Sequence, residues 1–310
     1  MSSAEAPLQR SYLYAPGSEP RVMRKALKAG ADAVILDLED AVAPGRKGDA
    51  RAAVATLLDQ LGEERSSPSP EASAGPQRHG PASVRPAVHV RINRDDDGYA
   101  LADLDVAVRS GVDAIRLAKA ESAAAVREVA ETISGFERER HLPAGCIGIY
   151  PTVESALGAV SIADVLMATP RVVRAAIGTA DLLADLGAQG DDDLATLHVR
   201  SHLVLMSRVA GVGPPIDNVH TGLDDLAGLR AAALRARSLG FFGKSAIHPR
   251  QIDEIHAVFT PTEDEFLRAE RVVAALEDAD QRGGGALRVD GEFVDAAVVA
   301  RARALLALRR

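Results

Sequence analysis

Short runs of β-branched and aliphatic residues alternate with longer stretches of helical periodicity from Tyr12 to His256, and this alternation limits the possible folds more than any other feature. Strands are predicted near Tyr12–Ala15, Ala33–Leu38, Ala87–Ile92, Ala114–Leu117, Ile147–Thr152, Val172–Gly178, Pro215–Asn218 and Gly243–Ile247. Helices are predicted over Arg21–Ala29, Ala50–Leu61, Tyr99–Ser110, Ser122–Ser134, Ala156–Met167, Asp193–Ala210, Leu223–Ser238 and Pro249–Val258. Strands separated by helices pair in parallel, and eight such units predict an α/β chain closed as a (β/α)8 TIM barrel over residues 10–260, with the sixth and seventh strands weakly marked. Residues 1–9 read as a flexible tail. The Pro-, Ser- and Gly-rich stretch 62–86 has too little apolar surface to order itself and reads as a mobile insertion. Residues 261–310 are too few for a domain. A helix over Thr262–Asp280, a bend at Gly283-Gly284-Gly285 and a last helix read as a C-terminal extension that covers a barrel mouth as a lid or docks on a neighbouring subunit.

The 310 residues are enough for one barrel-sized core. A net charge of -8 without any Lys/Arg block argues against a nucleic-acid partner. No run is long and apolar enough for a bilayer, and the first residues lack the apolar core of a secretory signal, so no membrane partner and a cytoplasmic location are expected. Cys146, the single cysteine, falls in a predicted buried strand and reads as a core thiol in a reducing compartment.

Parallel α/β enzymes bind metals and substrates where strands end. Glu154 ends the run Cys146–Val153 and Asp181 ends Val172–Ala180, which places two carboxylates at one rim. Each has a second reading, as a carboxylate complementing a helix dipole or capping a helix. Their recurrence on adjacent strands favours a metal, because two hard oxygen ligands with room for water and a bidentate substrate suit Mg²⁺. Arg91 ends the third strand and meets either an anionic substrate or, in the plainer reading, Asp37 or Glu39. Asp37, Glu39 and Asp40 repel one another unless cations balance them, or one of them caps the turn toward Pro44.

Lys119 ends strand four and points to the same mouth or forms a salt bridge. Pro16-Gly17-Ser18, with Arg10 and Lys47 near the same rim, is a candidate anion holder. His248 before Pro249 reads as a helix cap. No P-loop, GxGxxG, HExxH or nucleophile elbow appears, so nicotinamide, kinase and triad-hydrolase chemistries have no support.

Six segments taken in order resemble the citrate lyase beta-subunit family within the HpcH/HpaI aldolases. They are Arg10–Ser18, Leu36–Pro44, Val90–Asn93, Pro151–Ala159, Gly178–Leu182 and Lys244–Pro249. The resemblance implies a (β/α)8 barrel with Mg²⁺ on Glu154 and Asp181, Arg91 binding a keto or hydroxy acid, and Asp37, Glu39 and Asp40 around the metal's waters. It implies acyl-CoA thioester substrates of the malyl-, citramalyl- or citryl-CoA type, reversible carbon–carbon cleavage, and a homo-oligomer, trimer or hexamer. Members acting on free thioesters carry a C-terminal aspartate that reaches the site of an adjacent protomer, and Asp295 is the matching position, although alanines stand at 296 and 297 where many members have proline. The alternative for Asp295 is a helix N-cap. The other activities that share these residues are a citrate lyase beta subunit acting on an acyl-carrier-protein thioester, a malyl-CoA thioesterase, a pyruvate-type class II aldolase and a catalytically silent scaffold. The tail after Gly283 speaks against the carrier-protein subunit, and the preserved acids and Arg91 speak against the scaffold.

Overall fold

Parallel strands covered by helices on their outer face lose the polar alternation of half-exposed ones, and β2 (Ala33–Asp37) is buried at all five positions. The computed structural model describes residues 9–66, 85–94, 98–189, 192–282 and 287–309. The chain divides into a large unit, Leu8–Ala257, and a smaller one that includes Val258–Arg310. In the large unit β1 (Ser11–Pro16), β2, β3 (Ala87–Ile92), β4 (Ala114–Leu117), β5 (Gly148–Val153), β6 (Ala176–Ile177) and β7 (Lys244–Ala246) form one parallel sheet in the order β6-β5-β4-β3-β2-β1-β7. Single parallel bridges join Ile216 to Ala176 of β6 and Asp217 to Lys244 of β7, so these two residues stand between the edge strands.

The helices between the strands are α1 (Pro20–Ala26), α2 (Lys47–Ser66), α3 (Ala100–Ala107), α4 (Ala123–Glu139), α5 (Ala156–Val160), α6 (Ile162–Leu166), α7 (Thr179–Leu186), α8 (Asp192–Ala210), α9 (Leu226–Leu239) and α10 (Ile252–Phe259). In α4, Val126, Val129, Ala130 and Ile133 are buried at the spacing of one helical face, and the Ser122 side chain accepts from the Ala125 amide to start it. His248 caps the turn before α10, its Nδ1 accepting from the Arg250 amide at 3.2 Å.

Several sequence expectations are revised. The predicted strand Pro215–Asn218 is reduced to two bridged residues and Val172–Gly178 to β6 plus a bridge at Val172. Two neighbouring prolines donate no ladder hydrogen bond, and Arg174 takes the Pro214 carbonyl with its Nε at 2.7 Å. The predicted helix Ala156–Met167 breaks at Ser161 into α5 and α6. Gly62–Ser66 belong to α2, and the remainder of the predicted insertion up to residue 84, like the tail 1–8, lies outside the described residues. Cys146 precedes β5 and is exposed, so it is not a core thiol. No helix among the described residues is long and apolar enough to cross a membrane.

In the smaller unit, Ala269 and Val272 of α11 (Glu263–Arg282) pack against Val299 and Ala302 of α12 (Ala296–Leu306). Between them β8 (Leu287–Val289) and β9 (Glu292–Val294) form an antiparallel hairpin. Asp290 and Gly291 both have positive φ, 52° and 84°, which is the demand of a two-residue hairpin turn that an Asp-Gly pair meets.

Candidate active site

The C-terminal ends of the strands and the turns after them border a cavity of about 860 Å³. Tyr14 of β1, Asp37 of β2, Arg91 of β3, Thr152 of β5, Glu154 and Asp181 line one part of it. Strand register explains the first contacts. Asp37 and Arg91 are Cα partners across β2 and β3, and Arg91 grips Asp37 through a two-pronged fork, Nε to Oδ1 at 2.7 Å and Nη2 to Oδ2 at 2.6 Å. Its Nη1 lies 2.7 Å from Glu39 Oε2 and 3.2 Å from Asp40 Oδ2. The plainer pairing for Arg91 is therefore realised, with three carboxylates around one guanidinium that also lines the cavity. Asp37 in addition accepts from the Glu39 and Ala41 amides and shapes the turn after β2, while Asp40 is exposed.

Glu154 follows β5 directly and is buried, with Oε1 accepting from the Lys119 amide at 2.6 Å. Lys119 holds φ at 48°, an uncommon backbone state for a residue with a side chain, and that conformation accompanies the amide's bond to the carboxylate. Its Nζ reaches 3.7 Å from Glu39 Oε1, the salt-bridge alternative. Glu154 does not cap a helix, since Ser155 caps α5 by accepting from the Gly158 amide. Asp181 is neither a strand end nor an N-cap. Gly178 holds the N-cap position of α7, and Asp181 sits half-buried in the first turn, without a hydrogen bond or ion pair among the described residues.

Gly178 makes room for Glu154. A Cβ there would lie 2.4 Å from Glu154 Oε2 and 2.8 Å from its Cβ. Gly178→Ala is expected to push the carboxylate aside, with a cost of about 1–3 kcal/mol in stability and a loss of about a hundredfold in kcat/KM. Denaturation curves and steady-state kinetics on the same preparation check it, and wild-type values in both would show that the carboxylate tolerates displacement.

The acids are not balanced by the cations present. Burial, with the Asp181 charge adding to it against the Lys119 amide and Arg91, pushes Glu154 up to about 7 from its ordinary 4.5. Burial, with Asp40 and Glu154 adding to it against Arg91, pushes Glu39 up to about 8. Both groups therefore keep protons in the folded chain that the unfolded chain has released, so stability falls as pH rises through the window from 4.5 to about 8. The ligand-free chain is expected to lose about 2–4 kcal/mol between about pH 5 and about pH 8.5. Glu154→Gln should flatten part of that slope in a urea-denaturation series, and a flat wild-type curve would contradict these burials.

The donor set fits a hard divalent cation. Glu154 and Asp181 offer carboxylate oxygens, and the buried Thr152 Oγ1 beside the cavity has no hydrogen-bond partner among the described residues. No group of three or more His, Cys, Asp and Glu among those residues forms a metal cage, so a cation held here would take its other ligands from water and substrate.

Two predicted residues are not part of this arrangement. Arg10 precedes β1 and therefore sits at the opposite, N-terminal end of the strands, forked onto Asp32 by Nε and Nη2, both at 2.9 Å. Lys47 is buried and spends its ammonium on the Leu38 and Glu39 carbonyls and Asn93 Oδ1 at 2.7–2.8 Å, which pins the turn after β2. Neither is left to hold an anion. Asp295 lies in the smaller unit as the N-cap of α12, accepting from the Val298 amide at 2.9 Å. The sequence reading missed Tyr14, Thr152, Arg200, Asp217 and Lys244 as cavity residues. Tyr14 and Thr152 carried a signal, the inward parity of their strands, whereas Arg200 carried none.

The HpcH/HpaI aldolase/citrate lyase family profile matches residues 10–69 and 77–249. The citrate lyase subunit beta of Leuconostoc mesenteroides subsp. cremoris is 33% identical over 302 residues, 97% of this chain and 93% of that protein. A (3S)-malyl-CoA thioesterase of Cereibacter sphaeroides is 33% identical over 298 residues, 96% of this chain and 93% of that protein. Among solved structures, protein CitE from Mycobacterium tuberculosis in complex with magnesium, acetoacetate and coenzyme A superposes with a TM-score of 0.71 at 31% identity, covering 97% of each chain. The beta subunit match over 97% of this chain removes the argument that the tail after Gly283 sets the chain apart from citrate lyase subunits.

Proposed function

The chain belongs to the HpcH/HpaI aldolase/citrate lyase family, and from that premise we propose that it is a Mg²⁺-dependent acyl-CoA carbon–carbon lyase acting on a malyl-CoA, citramalyl-CoA or citryl-CoA type thioester. The observation that carries this reading is the meeting of Glu154, Asp181 and Arg91 on one cavity. The sheet is read as a closed (β/α)8 barrel, with Ile216–Asp217 as the seventh strand in chain order, between β6 and β7, and the C-terminal extension as a lid.

In this reading Glu154 and Asp181 hold Mg²⁺, which supplies Lewis-acid polarisation of the substrate's hydroxyl or keto oxygen and a template for its carboxylate. Arg91 orients the keto acid by charge-assisted hydrogen bonds, exchanging part of its carboxylate shell for that of the substrate. Glu39 and Asp40 hold the waters around the site. Cleavage removes the hydroxyl proton and breaks the bond between the carbinol carbon and the carbon next to the thioester. The bonding pair passes to that carbon as an enolate, which takes up a proton to give the acyl-CoA. Asp295 is the proton carrier, taking up the hydroxyl proton and delivering one to the enolate carbon, and is supplied by a second copy of the chain in a homo-oligomer. Mixing Glu154→Ala with Asp295→Ala protein is expected to restore part of the activity that each lacks alone, because mixed assemblies contain some intact sites. No recovery in assemblies that do exchange subunits would place Asp295 elsewhere.

The deciding experiment incubates the purified chain with Mg²⁺ and malyl-, citramalyl-, β-methylmalyl- and citryl-CoA, follows products by mass spectrometry and includes an EDTA control. Metal-dependent release of a keto acid and an acyl-CoA is expected. Free coenzyme A without keto acid would point to the second reading, a thioesterase, which the 33% identity to the (3S)-malyl-CoA thioesterase favours. Silence on every free thioester would point to a carrier-protein substrate.

A further inference from the structure

A separate stretch of the same cavity wall carries two cations on one carboxylate. Lys244 Nζ lies 2.5 Å from Asp217 Oδ2 and Arg200 Nη2 lies 2.8 Å from Asp217 Oδ1, with side chains 1%, 7% and 1% exposed for Lys244, Arg200 and Asp217. All three line the cavity, as does Asn218, whose Oδ1 is 3.3 Å from Lys244 Nζ. The contact of Arg200 with Asp217 is close but out of line. Asp217 Oδ1 is buried without a hydrogen-bond partner among the described residues, so the guanidinium's donors are not aimed at it. Arg200 instead lies over the Phe241 ring at 5.0 Å, which fixes its plane. The other charged pair on this wall, Arg235 with Asp193 at 2.8 Å, cancels itself.

A buried cluster of two cations on one carboxylate, with an arginine on the cavity wall that makes no in-line bond to that carboxylate, is costly unless an anion completes it. We propose that Arg200 and Lys244 form a second oxyanion subsite, which takes one carboxylate or phosphate group of the substrate remote from its reacting end. This inference rests on the reading that the Arg91, Glu154 and Asp181 part of the cavity holds the reacting keto acid. Asp217 is the positioning residue that keeps the two cations side by side, and its single charge leaves the subsite suited to one anionic group. The group's source is either the far carboxylate of a dicarboxylic acyl chain or a phosphate of the thioester carrier, since both offer the same acceptor oxygens to a guanidinium.

The test is calorimetric titration of the full chain with Mg²⁺ present, using pyruvate, 2-oxoglutarate, 2-oxoglutaramate with its neutral distal amide, and adenosine 3′,5′-bisphosphate. A charge-assisted contact predicts that Arg200→Gln weakens one of the two anionic probes about tenfold while leaving pyruvate unchanged. Loss on 2-oxoglutarate names the carboxylate, and loss on the bisphosphate names the phosphate. Arg200→Lys should retain part of the affinity. The wild-type chain alone tests the carboxylate arm, because 2-oxoglutarate should then outbind its amide about tenfold. Unchanged affinity of both anionic probes on Arg200→Gln, or parallel weakening of pyruvate with them, overturns the subsite. Failure of wild-type chain to bind pyruvate counts instead against the reading of the Arg91 end, and the bisphosphate arm then judges the Arg200 cluster by itself.

Discussion

Replacing Glu154 or Asp181 with alanine is expected to lower kcat/KM on the cleaved thioester by about a thousandfold or more, because each removes one of two protein ligands proposed for the metal. The isosteric change Glu154→Gln should act in the opposite direction on stability. Glu154 is buried and opposed by the Asp181 charge, with its carboxyl pushed up to about 7. Glu154→Gln removes a group that resists ionisation, and the ligand-free variant should be more stable than the wild type above about pH 8 by about 1–3 kcal/mol. A dead but stabilised protein is the signature of a site strained for function and not of a structural carboxylate. Mg²⁺ titration followed by thermal unfolding gives an independent readout, since the stabilisation by the metal should vanish in both variants. Retained turnover in either alanine variant would remove the metal assignment.

Arg91→Met is expected to destabilise the chain by about 3–5 kcal/mol, the cost of breaking a buried ion pair by deleting one partner. Asp37 would keep its two amide donors but lose the guanidinium fork, and Glu39 would lose the cation that opposes its raised pKa. Arg91→Lys separates the structural role from the binding role. A lysine restores the charge but cannot reproduce two parallel bonds to Asp37 while also reaching Glu39, so most of the stability should return while kcat/KM stays about a hundredfold low. The measurements are denaturant midpoints beside KM and kcat for both variants. Full activity in Arg91→Lys would reduce Arg91 to a clasp between β2 and β3.

Much of this was legible in the residues. Short, mostly apolar runs marked β1 to β5 as parallel strands, most plainly Ala33-Val34-Ile35-Leu36 of β2, because a strand buried on both faces loses the alternation of apolar and polar residues. Glu154 was placed by its strand alone, one residue past β5. Asp181 was found for a partly wrong reason. The run before it is mostly irregular, and the aspartate belongs to the first turn of α7, yet a residue just past β6 lies at the same rim by either route. The weakly marked seventh strand corresponds to two bridged residues, since proline at 215 withholds the amide that a ladder needs.

The amino-acid sequence by itself determined the order and direction of the parallel strands, and hence which rim gathers the acids and Arg91, because periodicity and chain direction are local properties. Which charge meets which was decided only in three dimensions. Arg10 and Arg91 each end with a carboxylate, Asp32 and Asp37, at opposite ends of the strands. Lys47 was drawn into backbone carbonyls, and Arg200, from the middle of a helix with no motif around it, came to the cavity beside Lys244 and Asp217. Charged groups more than a few residues apart find partners through strand register and helix packing, and a buried one must find them whatever its neighbours in sequence suggest.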